Sequence, residues 1–184
     1  MKGGTYGWSY DGPALIELVK TAFANRASEP IEVPVLQKGE MIGAVGTRDW
    51  GARYADIDLS EQHAYFYDEN GSCVWETDVV TGSPGSHATP TGVYRVTGGK
   101  ASPSLLVGQR DPETGKPEYE TEVAYWMPFI GNSIGFHDAT WQSAFGGNRY
   151  AQGHGSHGCV NIPLDAAADL YGIINVGDVV VVHW

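Results

Sequence analysis

The sequence predicts a mainly β fold with short helices, preceded by a helical segment at the amino terminus. Three observations carry that expectation. The 184-residue chain holds 25 glycines and 10 prolines, a supply of turn-forming residues suited to many short strands. From about Arg53 onward apolar and polar residues alternate with the period of two that marks a strand. The pair Asn70-Gly71 sits between two such runs, a strong local signal for a hairpin.

The first element is the exception. Leu15, Ile16, Leu18, Val19, Ala22 and Phe23 recur on one helical face, after Asp11 and Pro13 as start signals. Residues 27–51 are broken by Pro30, Pro34, Gly39, Gly43, Gly46 and Gly51 and read as a connector, with one short strand at 31–36. A helix this short is marginal alone in water and needs something to pack on. The division expected is therefore 1–50, a helical remnant and linker, and 51–184, the strand-rich domain.

In the second part Ala55, Ile57 and Leu59 alternate with Tyr54, Asp56 and Asp58, the pattern of a half-buried strand. Residues 63–67 and 73–81 form the hairpin around Asn70-Gly71. Residues 93–96, 119–125 and 134–137 continue the strands. Residues 98–117 read as the longest loop, with a turn at Asp111-Pro112-Glu113-Thr114-Gly115. Near the end 163–171 reads as a helix with Pro163 in its first turn and Gly172 after it. The apolar run 179–182 is then a buried closing strand.

Composition narrows the function. Eleven Lys+Arg against 22 Asp+Glu give a formal charge of −11, which argues against nucleic acid and anionic lipid as partners. No stretch approaches the roughly 20 apolar residues of a membrane span. Met1-Lys2-Gly3-Gly4 reads as a cut rather than a natural start, so the lack of a signal peptide does not assign the protein to the cytoplasm. The two cysteines, Cys73 and Cys159, are expected to stay unpaired.

The chemistry concentrates in Gly155-Ser156-His157-Gly158-Cys159-Val160-Asn161. A cysteine beside a valine is often only a small buried hydrophobe. Here glycine and polar neighbours allow close backbone approach to a ligand, and imidazoles stand near enough in sequence to activate a thiol. In a turn just before a helix, the amides of His157, Gly158 and Cys159 could converge on a developing oxyanion. His137, ending the run Ile134-Gly135-Phe136 and followed by Asp138, is the leading base, with His154 as the alternative. His157 reads as an organiser of the site; His63, His87 and His183 read as ordinary surface or strand residues. His137, His154, His157 and Cys159 would make a zinc set by element, but no HExxH or CxxC pairing accompanies them, and no metal or cofactor is expected.

Ser156-His157-Gly158-Cys159-Val160-Asn161 with His137 upstream resembles the active-site signature of the YkuD L,D-transpeptidases. The resemblance extends to Val79-Val80-Thr81-Gly82, Ala88-Thr89-Pro90-Thr91-Gly92-Val93-Tyr94, Tyr125-Trp126-Met127-Pro128 and Gly135-Phe136-His137-Asp138, in the family's order, over about 54–184. Cys159 and His137 lie 22 residues apart, longer than the commonest family spacing, with the excess assigned to 150–155. Tyr6-Gly7-Trp8 and the helix after it resemble the end of the peptidoglycan-binding-like module that precedes this domain in some Gram-positive enzymes.

The resemblance implies a mixed β-sandwich with Cys159 in a cleft under a hairpin lid. It implies a thioester formed from a tetrapeptide stem with loss of D-alanine, resolved by an acceptor amine to give a 3-3 peptidoglycan cross-link, and acylation of the same sulfur by carbapenems. Catalytic roles fall on Cys159, His137 and His157, oxyanion and backbone roles on Gly158 and Ser156, and supporting roles on Asp138 and Asn161. Trp126, Met127, Gly135 and Trp141 become the substrate-binding residues. The location implied is the extracellular cell wall, with a membrane anchor upstream. A peptidase or amidase using water as acceptor, and a wall-binding module without activity, remain the competing readings.

Overall fold

The computed structural model describes residues 9–37 and 50–184. The chain divides into two compact units, residues 1–51 and 52–184. In the first, strand β1 (Ser9–Tyr10) pairs antiparallel with β2 (Val35–Gln37), and helix α1 (Gly12–Ala24) lies between them in sequence. The expected caps form: the Asp11 carboxylate accepts the Ala14 N–H at 3.0 Å, and a proline stands in the first turn. No residue of α1 is fully buried, and its covered face is limited to the half-buried Ala14, Leu15, Val19 and Ala22. The strand expected at 31–36 begins later, at Val35. Tyr6-Gly7-Trp8 lies outside the described residues.

The second unit is a mixed β-sandwich. Its strands are β3 (Tyr54–Asp58), β4 (His63–Tyr67), β5 (Cys73–Asp78), β6 (Gly92–Arg95), β7 (Ser104–Val107), β8 (Glu120–Val123), β9 (Trp126–Ile130), β10 (Ile134–Asp138), β11 (Val160–Ile162) and β12 (Val179–His183), with helix α2 (Leu164–Ile173) before the last strand. One sheet has the order β5-β4-β3-β12-β6 and the other β11-β10-β9. Phe66, Ala55 and Val180 from the first meet Phe136, Met127 and Ile162 from the second in one core, which Ala167 and Leu170 of α2 help close. The Trp75 indole N–H donates to the Ala166 carbonyl at 3.0 Å and ties α2 to β5. A separate hairpin, β7 against β8, stands beside the sandwich sheets.

Several expectations change. Strand β3 is buried on both faces: Ala55 and Ile57 face the main core, while on the other face Tyr54 stacks on Tyr67 and the buried Asp56 carboxylate pairs with the His183 ring at 2.8 Å. Residues 98–117 are not one loop: they contain β7, whose side chains alternate between half-buried and exposed. Helix α2 runs through Gly172 to Ile173, with Pro163 at its cap in an extended conformation. The Asn70-Gly71 turn forms as expected, with Gly71 at φ +76°.

Candidate active site

The turn at Ser156–Cys159 is held from both sides by residues 80–83. The Ser156 N–H donates to the Thr81 carbonyl at 3.0 Å and the Ser83 N–H to the Ser156 carbonyl at 2.9 Å. On the far arm Val80 and Asn161 exchange two backbone bonds at 3.0 Å. Thr81 is itself fixed by the buried Gln62 side chain, which accepts its N–H at 3.1 Å. The approach is so close that a Cβ on Gly82 would meet the Gly158 Cα at 2.9 Å and the His87 carbonyl closer still. Buried Thr89 completes the stitching: its hydroxyl accepts the Gly82 N–H at 2.9 Å and donates to the Gly158 carbonyl at 2.8 Å. The threonine-glycine and threonine-proline segments are thus the clamp on the cysteine turn.

Within the turn the Ser156 hydroxyl donates to the Cys159 carbonyl at 2.6 Å and accepts the Gly158 N–H at 3.0 Å. Gly158 sits at φ +119°, where a side chain would be strained. The Gly158 amide, expected to face an oxyanion, is engaged inside the turn, and Ser156, expected in an oxyanion or backbone role, closes the turn. The segment also leads into β11, not directly into a helix.

His137 and Asn161 are register partners across the parallel pair β10 and β11, and His137 faces Trp126 across β9. The His137 ring is 4% exposed, and its Nδ1 lies 2.9 Å from the Asp138 carbonyl oxygen. A carbonyl only accepts, so Nδ1 carries the proton and Nε2 keeps its lone pair. The Asp138 carboxylate is occupied elsewhere, accepting the Tyr125 N–H at 2.8 Å. Burial pulls the His137 pKa below the ordinary imidazole value, against the opposing pull of the Asp138 carbonyl and charge. Cys159 is 7% exposed, and its Sγ–H points to the Ser133 carbonyl at 3.5 Å. Burial pushes its thiol up to about 11, with the Gly135 amide acting in the opposite direction. Both groups therefore rest uncharged at neutral pH.

Two clefts meet at the sulfur. The larger, about 670 Å³, is walled by Trp126, Ser133, Ile134, His87 and Glu118. The smaller, about 240 Å³, contains His137, Trp141, Gln142, His154 and Asn161. Cys159, His157, Leu106 of β7 and Tyr119 just before β8 line both, so the β7–β8 hairpin bounds each cleft. Asn161 is buried and its side-chain oxygen has no hydrogen-bond partner. His154 is exposed, and its carbonyl holds the Gln142 amide at 2.7 Å.

The expected wall residues separate. Trp141 is 53% exposed, with its ring 5.8 Å from that of His137. Trp126 is buried but reaches the larger cleft, its indole N–H donating to Asn132 at 3.2 Å. Met127 is not a wall: it is fully buried in the main core, because neighbouring strand residues face opposite ways. At Gly135, expected among the substrate-binding residues, a Cβ would strike the Met127 carbonyl and the Pro128 Cα of β9, while its amide acts on the Cys159 thiol. Sequence reasoning missed Thr89, Leu106, Tyr119 and His87. His87, expected to be an ordinary surface residue, packs edge-on against His157 at 4.3 Å between centroids. Both cysteines are free. Among the described residues, no group of three or more His, Cys, Asp or Glu side chains is disposed to hold a metal ion.

With this geometry in hand, residues 52–182 match the YkuD family, the L,D-transpeptidase catalytic domain. The crystal structure of an Enterococcus faecium L,D-transpeptidase mutant superposes with a TM-score of 0.66 at 32% identity, covering 98% of this chain and 68% of that one. The catalytic domain from E. faecium, determined by NMR, is 38% identical over 71% of this chain and 96% of its own, with a TM-score of 0.61. The same domain acylated by ertapenem is 37% identical over 72% of this chain and 98% of its own, also at 0.61. No curated protein matches the chain. A buried cysteine on a clamped turn, a histidine opening onto the same cleft, and these likenesses converge: the chain belongs to the YkuD family of L,D-transpeptidase catalytic domains.

Proposed function

We propose that the protein forms 3-3 cross-links in peptidoglycan by a ping-pong reaction through a thioester on Cys159. The observation that carries this reading is the meeting of two clefts at one sulfur, with His137 on the smaller. A donor and an acceptor must each reach the same atom, and two approaches supply that. Cys159 attacks the carbonyl between the L-centre of stem residue three and the terminal D-alanine. The His137 Nε2 takes the thiol proton during attack, since neither group is charged beforehand. The tetrahedral oxyanion is met by the amides of His157 and Cys159, because the Gly158 amide is held by Ser156. The imidazolium then protonates the departing D-alanine nitrogen, leaving a thioester. An acceptor amine attacks that thioester, His137 accepts its proton, and the thiol is regenerated as the new amide forms.

In this reading the Asp138 carbonyl orients the base, Trp141 and the edge of Trp126 wall the stem, and the buried Asn161, in register with His137, supports the base. Carbapenems acylate the same sulfur, in line with the ertapenem-acylated relative. The substrate assigns the site of action to the cell wall outside the membrane, and residues 1–51 are read as the end of a peptidoglycan-binding-like module. Incubation with a defined tetrapeptide stem and an amine acceptor tests the proposal. Mass spectrometry should show the tripeptide acyl group on Cys159, free D-alanine and a cross-linked product. Tripeptide acid as the sole product, with acceptor present, would identify a hydrolase instead.

A further inference from the structure

The larger cleft has an electrostatic oddity. Among the described residues lining either cleft there is no lysine or arginine, and the one carboxylate is Glu118, just before β8. That carboxylate stands 3.4 Å from the Nε2 of His157. His157 in turn is stacked on Tyr119 at 5.3 Å and touched edge-on by His87 at 4.3 Å. Two imidazoles thus stand in contact at the cleft wall, one of them already facing a carboxylate supplied by the hairpin.

The proposed donor must bring a carboxylate to this region. Its terminal D-alanine carboxyl carbon lies only three bonds beyond the carbonyl that Cys159 attacks, within about 4 Å of it by ordinary bond lengths. Its receptor must therefore share the cleft with the sulfur. His157 does, two residues before Cys159 in the same turn, and His87 lines the same wall. With no guanidinium or ammonium among the lining residues, the side-chain donors are hydroxyls, amides and ring N–H groups, and of these His157 is the one that already faces a carboxylate, with His87 against it.

We propose that His87 and His157 together receive the terminal carboxylate of the acyl donor, and that Glu118 is its intramolecular stand-in, displaced when the donor binds. Glu118 and Tyr119 lie beside the β7–β8 hairpin, so that hairpin supplies the stand-in carboxylate to the cleft. A donor without the carboxylate leaves Glu118 in place and binds without that contact. The inference rests on the donor chemistry of the proposed function.

The test compares a tetrapeptide stem ending in D-alanine with the same stem ending in D-alaninamide, which keeps the scissile bond. Binding is measured by calorimetry on Cys159→Ala, and D-alanine or D-alaninamide release on the intact chain. In Cys159→Ala the acid should bind roughly ten-fold more tightly than the amide, the scale of a hydrogen bond to a charged group. Adding His87→Gln should bring that ratio towards one, whereas Glu118→Gln should raise it several-fold by removing the competitor. Both changes sit at exposed side chains, and the opposite directions separate recognition from loss of fold. Equal affinity for acid and amide in all three proteins overturns the proposal, leaving the cluster as a packing contact. Product release without acid preference sinks the inference alone; acid preference without product release sustains it and sinks the transpeptidase reading.

Discussion

Thr89→Val offers a test of how the cysteine turn is held. Valine is close to threonine in volume but sets a methyl group where the hydroxyl made its two bonds, so the perturbation centres on that one group. That hydroxyl is buried and serves two partners, the Gly82 N–H at 2.9 Å and the Gly158 carbonyl at 2.8 Å. Removing it leaves a buried donor and a buried acceptor unpaired at about 1–3 kcal/mol each, so the domain should lose roughly 2–6 kcal/mol. At a slope near 2 kcal/mol per molar urea, that is a midpoint shift of about 1–3 M. Thr89→Ser keeps both bonds and deletes one methyl, worth about 1 kcal/mol. Urea unfolding followed by far-ultraviolet circular dichroism reads the midpoints, and carbapenem acylation of Cys159 reads the turn. The expected order of stability is wild type, then serine, then valine, with acylation slowed most in valine. A valine variant with wild-type midpoint and acylation rate would refute the clamp.

Three further outcomes follow from the site. With its thiol pushed up to about 11 by burial, Cys159 in the free enzyme should alkylate slowly at pH 7 and faster with each rise in pH; an iodoacetamide rate that levels off below pH 9 would contradict this. His137→Gln should slow acylation by roughly a hundred- to ten-thousand-fold, the usual cost of losing a general base, while His154→Gln should change it little, and stopped-flow measurement with a carbapenem reports both. Trp141→Ala, at a half-exposed side chain, should reduce stem turnover at a nearly unchanged melting temperature. Trp126→Ala, at a buried one, should cost roughly 3–5 kcal/mol by calorimetric unfolding.

What could be read from the sequence was what is decided locally. The Asn70-Gly71 hairpin and the Asp11 cap of α1 depend on residues within a few positions of each other, and both form. Strand β7 was hidden because it is four residues long, only partly covered, and paired with β8 beyond a turn-rich stretch. The two-sided burial of β3 depends on Asp56 meeting His183, 127 residues away, which no local pattern reveals. The same divide runs through the site. Cys159 and His137 stood out by the chemistry they can perform, whereas Thr89 acts through a carbonyl 69 positions later. Met127 had a usable signal: beside Trp126 in one strand, it must face the other way, so both could not wall one cleft.

The clamp and the burial together explain why the thiol can wait for its substrate. Burial moves the two partners' pKa values in opposite senses, raising the cysteine and lowering the histidine, and each shift disfavours a standing thiolate–imidazolium pair. A neutral thiol is a poor target for oxidants and stray electrophiles. In the proposed mechanism reactivity therefore arrives with the substrate, as proton transfer to Nε2 concerted with attack on a carbonyl already in place. Such a step depends on a sulfur held in position, since no ion pair guides it. The bonds around the turn, from Thr81, Ser83, Thr89 and the Ser156 hydroxyl, supply that constraint. Relaxing them should therefore slow acylation of the wild-type thiol more than it slows simple alkylation at high pH, where the thiolate needs no aligned base.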